Sequence, residues 1–169
     1  GENSFSETGI VEIIIPGSVK NIEASAFYGC FDLQSVIIEY GVETIGECAF
    51  YQCENLVEVT IADSVTGIGG DAFNSCYCLT SVKLPDGIKT ISYSMFCDCW
   101  SLAEITIPDS VETIEYMAFN MAGLTEVTIP ERVTNIESGA FWSESLSNIT
   151  IPDSVIKIGD GDGADFWHE

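Results

Sequence analysis

Basic residues are almost missing from this chain: Lys20, Lys83, Lys89, Arg132 and Lys157 face 27 acidic residues, for a formal net charge of -22. A nucleic-acid partner is excluded on that ground, because neutralising phosphates requires clustered Lys and Arg. The same imbalance works against anionic membrane surfaces and favours basic or cation-bridged partners, within a screening length of about 8 Å at physiological salt. Histidine is reduced to His168, next to last in the sequence. No general base is therefore well placed, and no nucleophile elbow or phosphate-binding loop is present, so neither an enzyme nor a cofactor is expected. No run of about 20 apolar residues exists to cross a membrane as a helix. The chain opens Gly1-Glu2-Asn3 without a charged-then-apolar leader and joins its pattern part-way through. Trimming of a leader or of upstream units is the expectation, so the missing leader does not argue for the cytoplasm.

What is present is repetition. The phrase Ile107-Pro108-Asp109-Ser110-Val111 returns as Ile151-Pro152-Asp153-Ser154-Val155, and related units open at Ile15, Ile38, Ile61, Leu84, Ile107, Ile129 and Ile151, in steps of 23, 23, 23, 23, 22 and 22 residues. Self-similarity at such a period marks a solenoid. Each unit reads Ile-Pro-x-Ser-Val-x-x-Ile-x-x-x-Ala-Phe-x-x-Cys-x-x-Leu-x-x-Val-x. The whole chain, 1–169, is read as one solenoid domain: a half repeat over 5–14, full repeats over 15–37, 38–60, 61–83, 84–106, 107–128 and 129–150, and a degenerate last repeat over 151–169.

The Ala-Phe pairs Ala26-Phe27, Ala49-Phe50, Ala72-Phe73, Ala118-Phe119 and Ala140-Phe141, set in this unit, resemble the leucine-rich repeat family of the BspA-like, treponemal type. Departures are local: Met95 precedes Phe96, Tyr40-Gly41 replaces Pro-x-Ser, and the last two full units lose the Cys. The resemblance implies a bacterial cell-surface or secreted protein that presents a repeat face for adhesion to a protein or glycan. It carries over no specific ligand. A passive stalk or spacer with no ligand of its own is the competing reading.

The expected fold is a repeat solenoid, a leucine-rich-repeat-like right-handed coil with short parallel β-strands stacked along one face, rich in β and turn with little helix. Leu33-x-x-Val36-x-Ile38 alternates at period two, so each unit supplies one strand. Seven strands stacked about 4.8 Å apart predict one continuous sheet on the order of 30 Å long. Pro16, Pro85, Pro108, Pro130 and Pro152 stand where a strand must stop. Val19 and Ile22, with their equivalents down to Val155 and Ile158, predict a second extended column, and Phe27, Phe50, Phe73, Phe96, Phe119 and Phe141 a buried aromatic column.

Periodicity also disposes of the most conspicuous chemistry. Cys30, Cys53, Cys76 and Cys99 share one repeat position, so their Cβ atoms should stand about 4.8 Å apart, outside the 3.5–4.5 Å or so that a disulfide prefers; reduced, buried thiols are expected. Cys78 and Cys97 lie off that column, so their thiols should diverge from it and hold no tetrahedral zinc, and Cys48 should be a surface or loop thiol. Asp160, Asp162 and Asp165 among glycines resemble a calcium loop but lack the closing bidentate Glu, so a polar exit from the last coil is expected. No metal site is assigned.

The informative columns are the outward strand positions. One is Glu12, Ser35, Glu58, Ser81, Glu104, Glu126 and Asn148; the other is Ile14, Ile37, Thr60, Lys83, Thr106, Thr128 and Thr150. Setting aside Ile14 and Ile37, an apolar spot that missing upstream repeats would cover, these twelve positions are the candidate partner-binding face of a monomer. Glu104 and Glu126 are expected to be cross-strand neighbours with Lys83 diagonally close, an arrangement of like charges that costs a few tenths of a kcal/mol and hints at use. The plainer reading is that exposed strand positions take Thr and Glu for solubility.

Overall fold

The computed structural model describes residues 1–159, so Asp160, Asp162 and Asp165 lie outside the described residues. The chain winds as a parallel β-solenoid, with two strand columns per turn and no helix among those residues. The first column comprises β1 (Glu12–Ile15), β3 (Ser35–Ile38), β5 (Glu58–Ile61), β7 (Ser81–Lys83), β10 (Glu126–Thr128) and β12 (Asn148–Thr150). The second comprises the two-residue strands β2 (Asn21–Ile22), β4 (Thr44–Ile45), β6 (Gly67–Ile68), β8 (Thr90–Ile91), β9 (Thr113–Ile114), β11 (Asn135–Ile136) and β13 (Lys157–Ile158). Register follows the repeat: Glu12 pairs Ser35, Ser35 pairs Glu58, and Glu58 pairs Ser81.

Between the second and first columns each coil is closed by a run of turns that also stacks. The N–H groups of Ser25, Phe27 and Gly29 donate to the carbonyls of Glu47, Ala49 and Tyr51 one coil on, at 2.9, 2.8 and 2.8 Å, while those of Ala26, Tyr28 and Cys30 donate three residues back. Alternation of the N–H direction requires left-handed backbone twice per coil. The first such column is Asn3, Ser25, Cys48, Asp71, Ser94, Met117 and Gly139, and the second is Glu7, Gly29, Gln52, Ser75, Asp98 and Met121. Outside glycine this conformation costs about 1–2 kcal/mol per residue, so the inter-coil bonds must hold it in place.

The interior is the expected aromatic column. Phe5, Phe27, Phe50, Phe73, Phe96, Phe119 and Phe141 stack ring on ring with centroids 5.2–5.7 Å apart. Leu33, Leu56, Leu79, Leu102 and the strand Val and Ile residues pack beside them. The four ladder cysteines are wholly buried, and each thiol donates to the carbonyl of the Phe in the preceding coil: Cys30 to Phe5 at 3.0 Å, Cys53 to Phe27 at 3.2 Å, Cys76 to Phe50 at 3.3 Å and Cys99 to Phe73 at 3.2 Å. A thiol suits this slot because it is small and apolar yet retains a weak donor.

The expectation of one continuous sheet is corrected. The first column splits into a four-stranded sheet, β1-β3-β5-β7, and a two-stranded one, β10-β12, because Glu104–Ile107 forms no strand. No backbone hydrogen bond joins that segment to either neighbour; the nearest, from the Thr125 N–H to the Ala103 carbonyl, is stretched to 3.4 Å. Glu104 and Glu126 are therefore not ladder partners, and Lys83 turns instead to Asp63 at 3.2 Å. The break coincides with the step from 23 to 22 residues, but a like step between Phe5 and Phe27 leaves β1 and β3 paired, so loop length alone does not produce it. Two residues connect the ladder position to the buried Leu in earlier coils (Tyr77-Cys78, Trp100-Ser101), but Gly123 alone does so in the unit opening at Ile107. The shortened loop pulls the backbone in so tightly that a Cβ on Gly123 would lie 2.1 Å from the Trp100 carbonyl oxygen.

The second column is also interrupted, between β6 and β8. There the Tyr93 ring lies over Gly70, where a Cβ would come within 2.2 Å of it. The Ser92 hydroxyl donates to the Ile68 carbonyl at 2.6 Å, in the place where the Gly46 and Gly69 N–H groups serve Ile22 and Ile45. Both interruptions meet at the interface between the coils opening at Ile61 and Leu84, which has the widest ring spacing, 5.7 Å for Phe73 and Phe96.

Candidate interaction face

The alternation of the strands decides which side chains leave the core. Glu12, Glu58, Thr60, Ser81, Lys83, Glu104, Thr106, Glu126, Thr128, Asn148 and Thr150 are all exposed, and Ser35 is partly so. Within the paired sheets carboxylates are kept apart: Glu12, Ser35, Glu58 and Ser81 alternate acid with hydroxyl across the ladder, and Glu126 stands opposite Asn148. Only at Glu104 and Glu126 do two acids fall on adjacent coils, and that is where the ladder is open.

The open ladder produces a cleft of about 610 Å³ on this face, within the size range of small-ligand sites. Seven of the twelve positions line it: Ser81, Glu104, Thr106, Glu126, Thr128, Asn148 and Thr150. Glu12, Ser35, Glu58 and Thr60 lie outside it on the intact sheet, and Lys83 is drawn away by Asp63. Asp109 and Pro130 also line the cleft, and alternation along the strand does not reveal them because both sit in the turns that follow. Ion pairs among the described residues are Lys20–Glu43, Lys83–Asp63 and Lys89–Glu112, at 3.7, 3.2 and 3.1 Å. None involves Glu104, Asp109 or Glu126, so their charge is neutralised by no neighbouring cation among the described residues.

A sequence profile of the BspA type leucine rich repeat region matches six copies, over residues 1–122 and 43–161. The chain belongs to the BspA-type leucine-rich repeat family. Among solved structures it resembles a leucine rich cell surface protein from Faecalibacterium prausnitzii, at 40% identity over 83% of this chain and 38% of that one, with a TM-score of 0.79. It also resembles a leucine rich repeat protein from T. pallidum, at 27% identity over 91% of this chain and 76% of that one, TM-score 0.84. A third, a leucine-rich repeat protein from Bacteroides ovatus, is 29% identical over 89% of this chain and 48% of that one, TM-score 0.67. The chain thus spans less than half the length of the first and third. No curated protein matches it.

In this BspA-type solenoid five of the seven thiols, Cys48, Cys53, Cys76, Cys97 and Cys99, are poor nucleophiles. Burial drives the Cys53, Cys76 and Cys99 thiols far above their ordinary value. Cys48, at a left-handed turn and only partly exposed, is pushed up to about 11 by burial and by the Asp71 and Glu47 carboxylates. Cys97 is pushed up to about 12 by burial and by Asp98. A raised pKa keeps the thiolate, the reactive form, scarce. No cluster of three metal-ligating side chains occurs among the described residues, and no helix among them is long and apolar enough to cross a membrane.

Sequence reasoning also passed over an aromatic flank. Tyr77 and Trp100, one coil apart in the loop after the ladder cysteine, stack at 4.4 Å and 19°. The position holds Phe31, Glu54, Tyr77, Trp100 and then Gly123. Its irregularity hid it from a search for invariant columns.

Proposed function

We propose that this segment belongs to a bacterial cell-surface or secreted protein and acts as an interaction module, holding a protein or glycan partner against its first-column face. The cleft at Glu104–Ile107 carries the reading: it is recessed, polar and acidic, and its carboxylates have no cation among the described residues. A partner segment bearing Lys or Arg is its electrostatic complement, and the overall charge of -22 would speed the encounter in a salt-dependent way. Placement at the cell exterior is supported by the surface designation of the F. prausnitzii relative. A large, rigid repeat face binds through many modest contacts, so the affinity would rest on a few of them.

The test is a panel of matrix proteins and glycans presented to the chain at two salt concentrations, with the double variant Glu104→Lys/Glu126→Lys as control. Binding that weakens with salt and is lost in the variant supports the acidic cleft. Binding that survives both changes refutes it, and no binding by any panel member returns the chain to the stalk reading.

A further inference from the structure

We propose that the flank carrying Trp100 is a second binding site, independent of the cleft, which takes a neutral oligosaccharide by stacking a pyranose ring on the indole. Trp100 is 58% exposed, yet it is not loose. One face rests on the Tyr77 ring, and the indole N–H donates to a carboxylate oxygen of Asp98 at 3.1 Å. Two contacts at right angles, one face-on and one in-plane, fix the ring in a single orientation before anything binds, which lowers the ordering cost of association.

The other face is left open by the residue that follows in the next coil. In a coil of full length the next residue in this column would bring a side chain over the indole, but Gly123 supplies none and cannot, its Cβ position being occupied by the Trp100 carbonyl oxygen. Two further exposed apolar side chains, Met121 and Trp142, stand one and two coils on, in neighbouring columns. The Asp98 N–H bonds the Asn120 carbonyl one coil on, and the Met121 N–H bonds the Trp142 carbonyl one coil further, both at 2.8–2.9 Å. Met121 and Trp142 are 46% and 67% exposed. Coils rise by about 4.8 Å, close to the length of one sugar unit, so further sugars on a ring stacked at Trp100 would reach the coils that carry Met121 and Trp142.

Three kinds of partner are attracted to an indole face, and the surroundings choose among them. An apolar protein side chain needs a pocket that desolvates it on several sides, whereas this ring is flat and open on one side. A bare cation is held best by a cage of rings, and the one ring beside Trp100 is already stacked on it. A pyranose has a polarised C–H face to lay on the negative face of the ring, and hydroxyls at its rim to donate to acceptors. The Asp98 carboxylate provides such an acceptor at the indole edge. The net charge of -22 selects against sugars that bear carboxylate or sulfate.

The probes are chitotriose and cellotriose as neutral sugars, a hyaluronan tetrasaccharide as an anionic one, and tetramethylammonium as a cation, each titrated into the full chain by saturation-transfer NMR. Saturable binding of a neutral probe at up to about 10 mM is expected, the weak range usual for a small shallow site. At least a tenfold loss is expected in Trp100→Ala, with a smaller loss in Asp98→Asn, which keeps the indole acceptor but drops its charge. Glu104→Lys/Glu126→Lys should leave sugar binding unchanged, which separates this site from the cleft. Circular dichroism checks that Trp100→Ala is folded; if it is not, Met121→Asp, at an exposed turn whose column holds polar residues in four of the other coils, serves as the second variant and should weaken binding. The proposal is overturned if no neutral probe binds, if Trp100→Ala and Met121→Asp bind as well as the parent, or if the anionic sugar or the cation binds in preference.

Discussion

Truncating Phe73 to Ala tests whether each ring of the stacked aromatic column is supported by a neighbour on both sides. Phe73 is fully buried, with Phe50 at 5.4 Å on one side and Phe96 at 5.7 Å on the other. Core Phe→Ala changes cost about 3–5 kcal/mol, and two ring contacts of about 0.5–1.5 kcal/mol each place this site at the upper end. Phe5 is 46% exposed and stacks on one ring, Phe27, so Phe5→Ala should cost about 1 kcal/mol. Against a total stability of roughly 5–15 kcal/mol the first change is severe, and at about 2–4 °C per kcal/mol it lowers the melting temperature by roughly 10 °C or more. Urea unfolding followed by circular dichroism gives both numbers, and Phe73→Leu adds the ring contacts alone. Equal costs at the two positions, or a neutral Phe73→Leu, would refute the reasoning, because stability in a solenoid should depend on having a neighbour on each side.

Gly123→Ala should destabilise by about 2–4 kcal/mol, since the added methyl meets backbone oxygen rather than a movable side chain; a melting temperature within about 2 °C of the parent would contradict this. Cys48, Cys53, Cys76, Cys97 and Cys99 should react with a thiol reagent slowly in the native protein at neutral pH and completely in denaturant; fast native labelling at Cys53, Cys76 or Cys99 would show the ladder to be open. Burial raises both Asp71 and Glu115, so the folded state binds their protons more tightly than the unfolded chain does. Their contribution to stability is present below the ordinary values of 3.8 and 4.5 and is lost as pH rises through the raised folded values. Mutual repulsion of the acidic surface acts in the same direction, so the melting temperature should rise as pH falls from 7 towards the ordinary carboxylate values, and Asp71→Asn with Glu115→Gln should flatten the last part of that rise. Cooling of the transition over this interval would contradict the assignment.

Legibility in the sequence tracked periodicity. Positions such as Val36, Phe50, Cys53 and Leu56 recur at fixed spacing because each meets its own copy in the next coil, so a column read from the sequence is already a set of contacts. The paired register and the outward face follow from the same rule. The break at Glu104–Ile107 does not, although its trace was present as the missing residue beside Gly123. A one-residue deletion reads as a harmless loop change, and only the three-dimensional closeness of Gly123 to the Trp100 carbonyl shows how tightly that loop packs. Tyr93 and Gly70 escaped notice for a related reason: each is a departure from its column, and each matters only because the two departures meet. Trp100 was invisible because its surroundings, rather than its repetition, make it distinctive.

The interface between the coils opening at Ile61 and Leu84 lacks ladder pairing in both columns, and it is held by the turn-segment bonds, such as Phe73 N–H to the Met95 carbonyl at 3.1 Å, and by ring stacking. Mechanically, the rod is two stiff leaves joined along a spine. Bending should concentrate at that plane, and amide protons flanking it should exchange with solvent ahead of those deep in either leaf, so that the chain opens as two blocks instead of fraying evenly from its ends. Because the cleft lies on the side where the leaves part, its width is coupled to that flexing, and a partner that wedges into it would stiffen the whole rod.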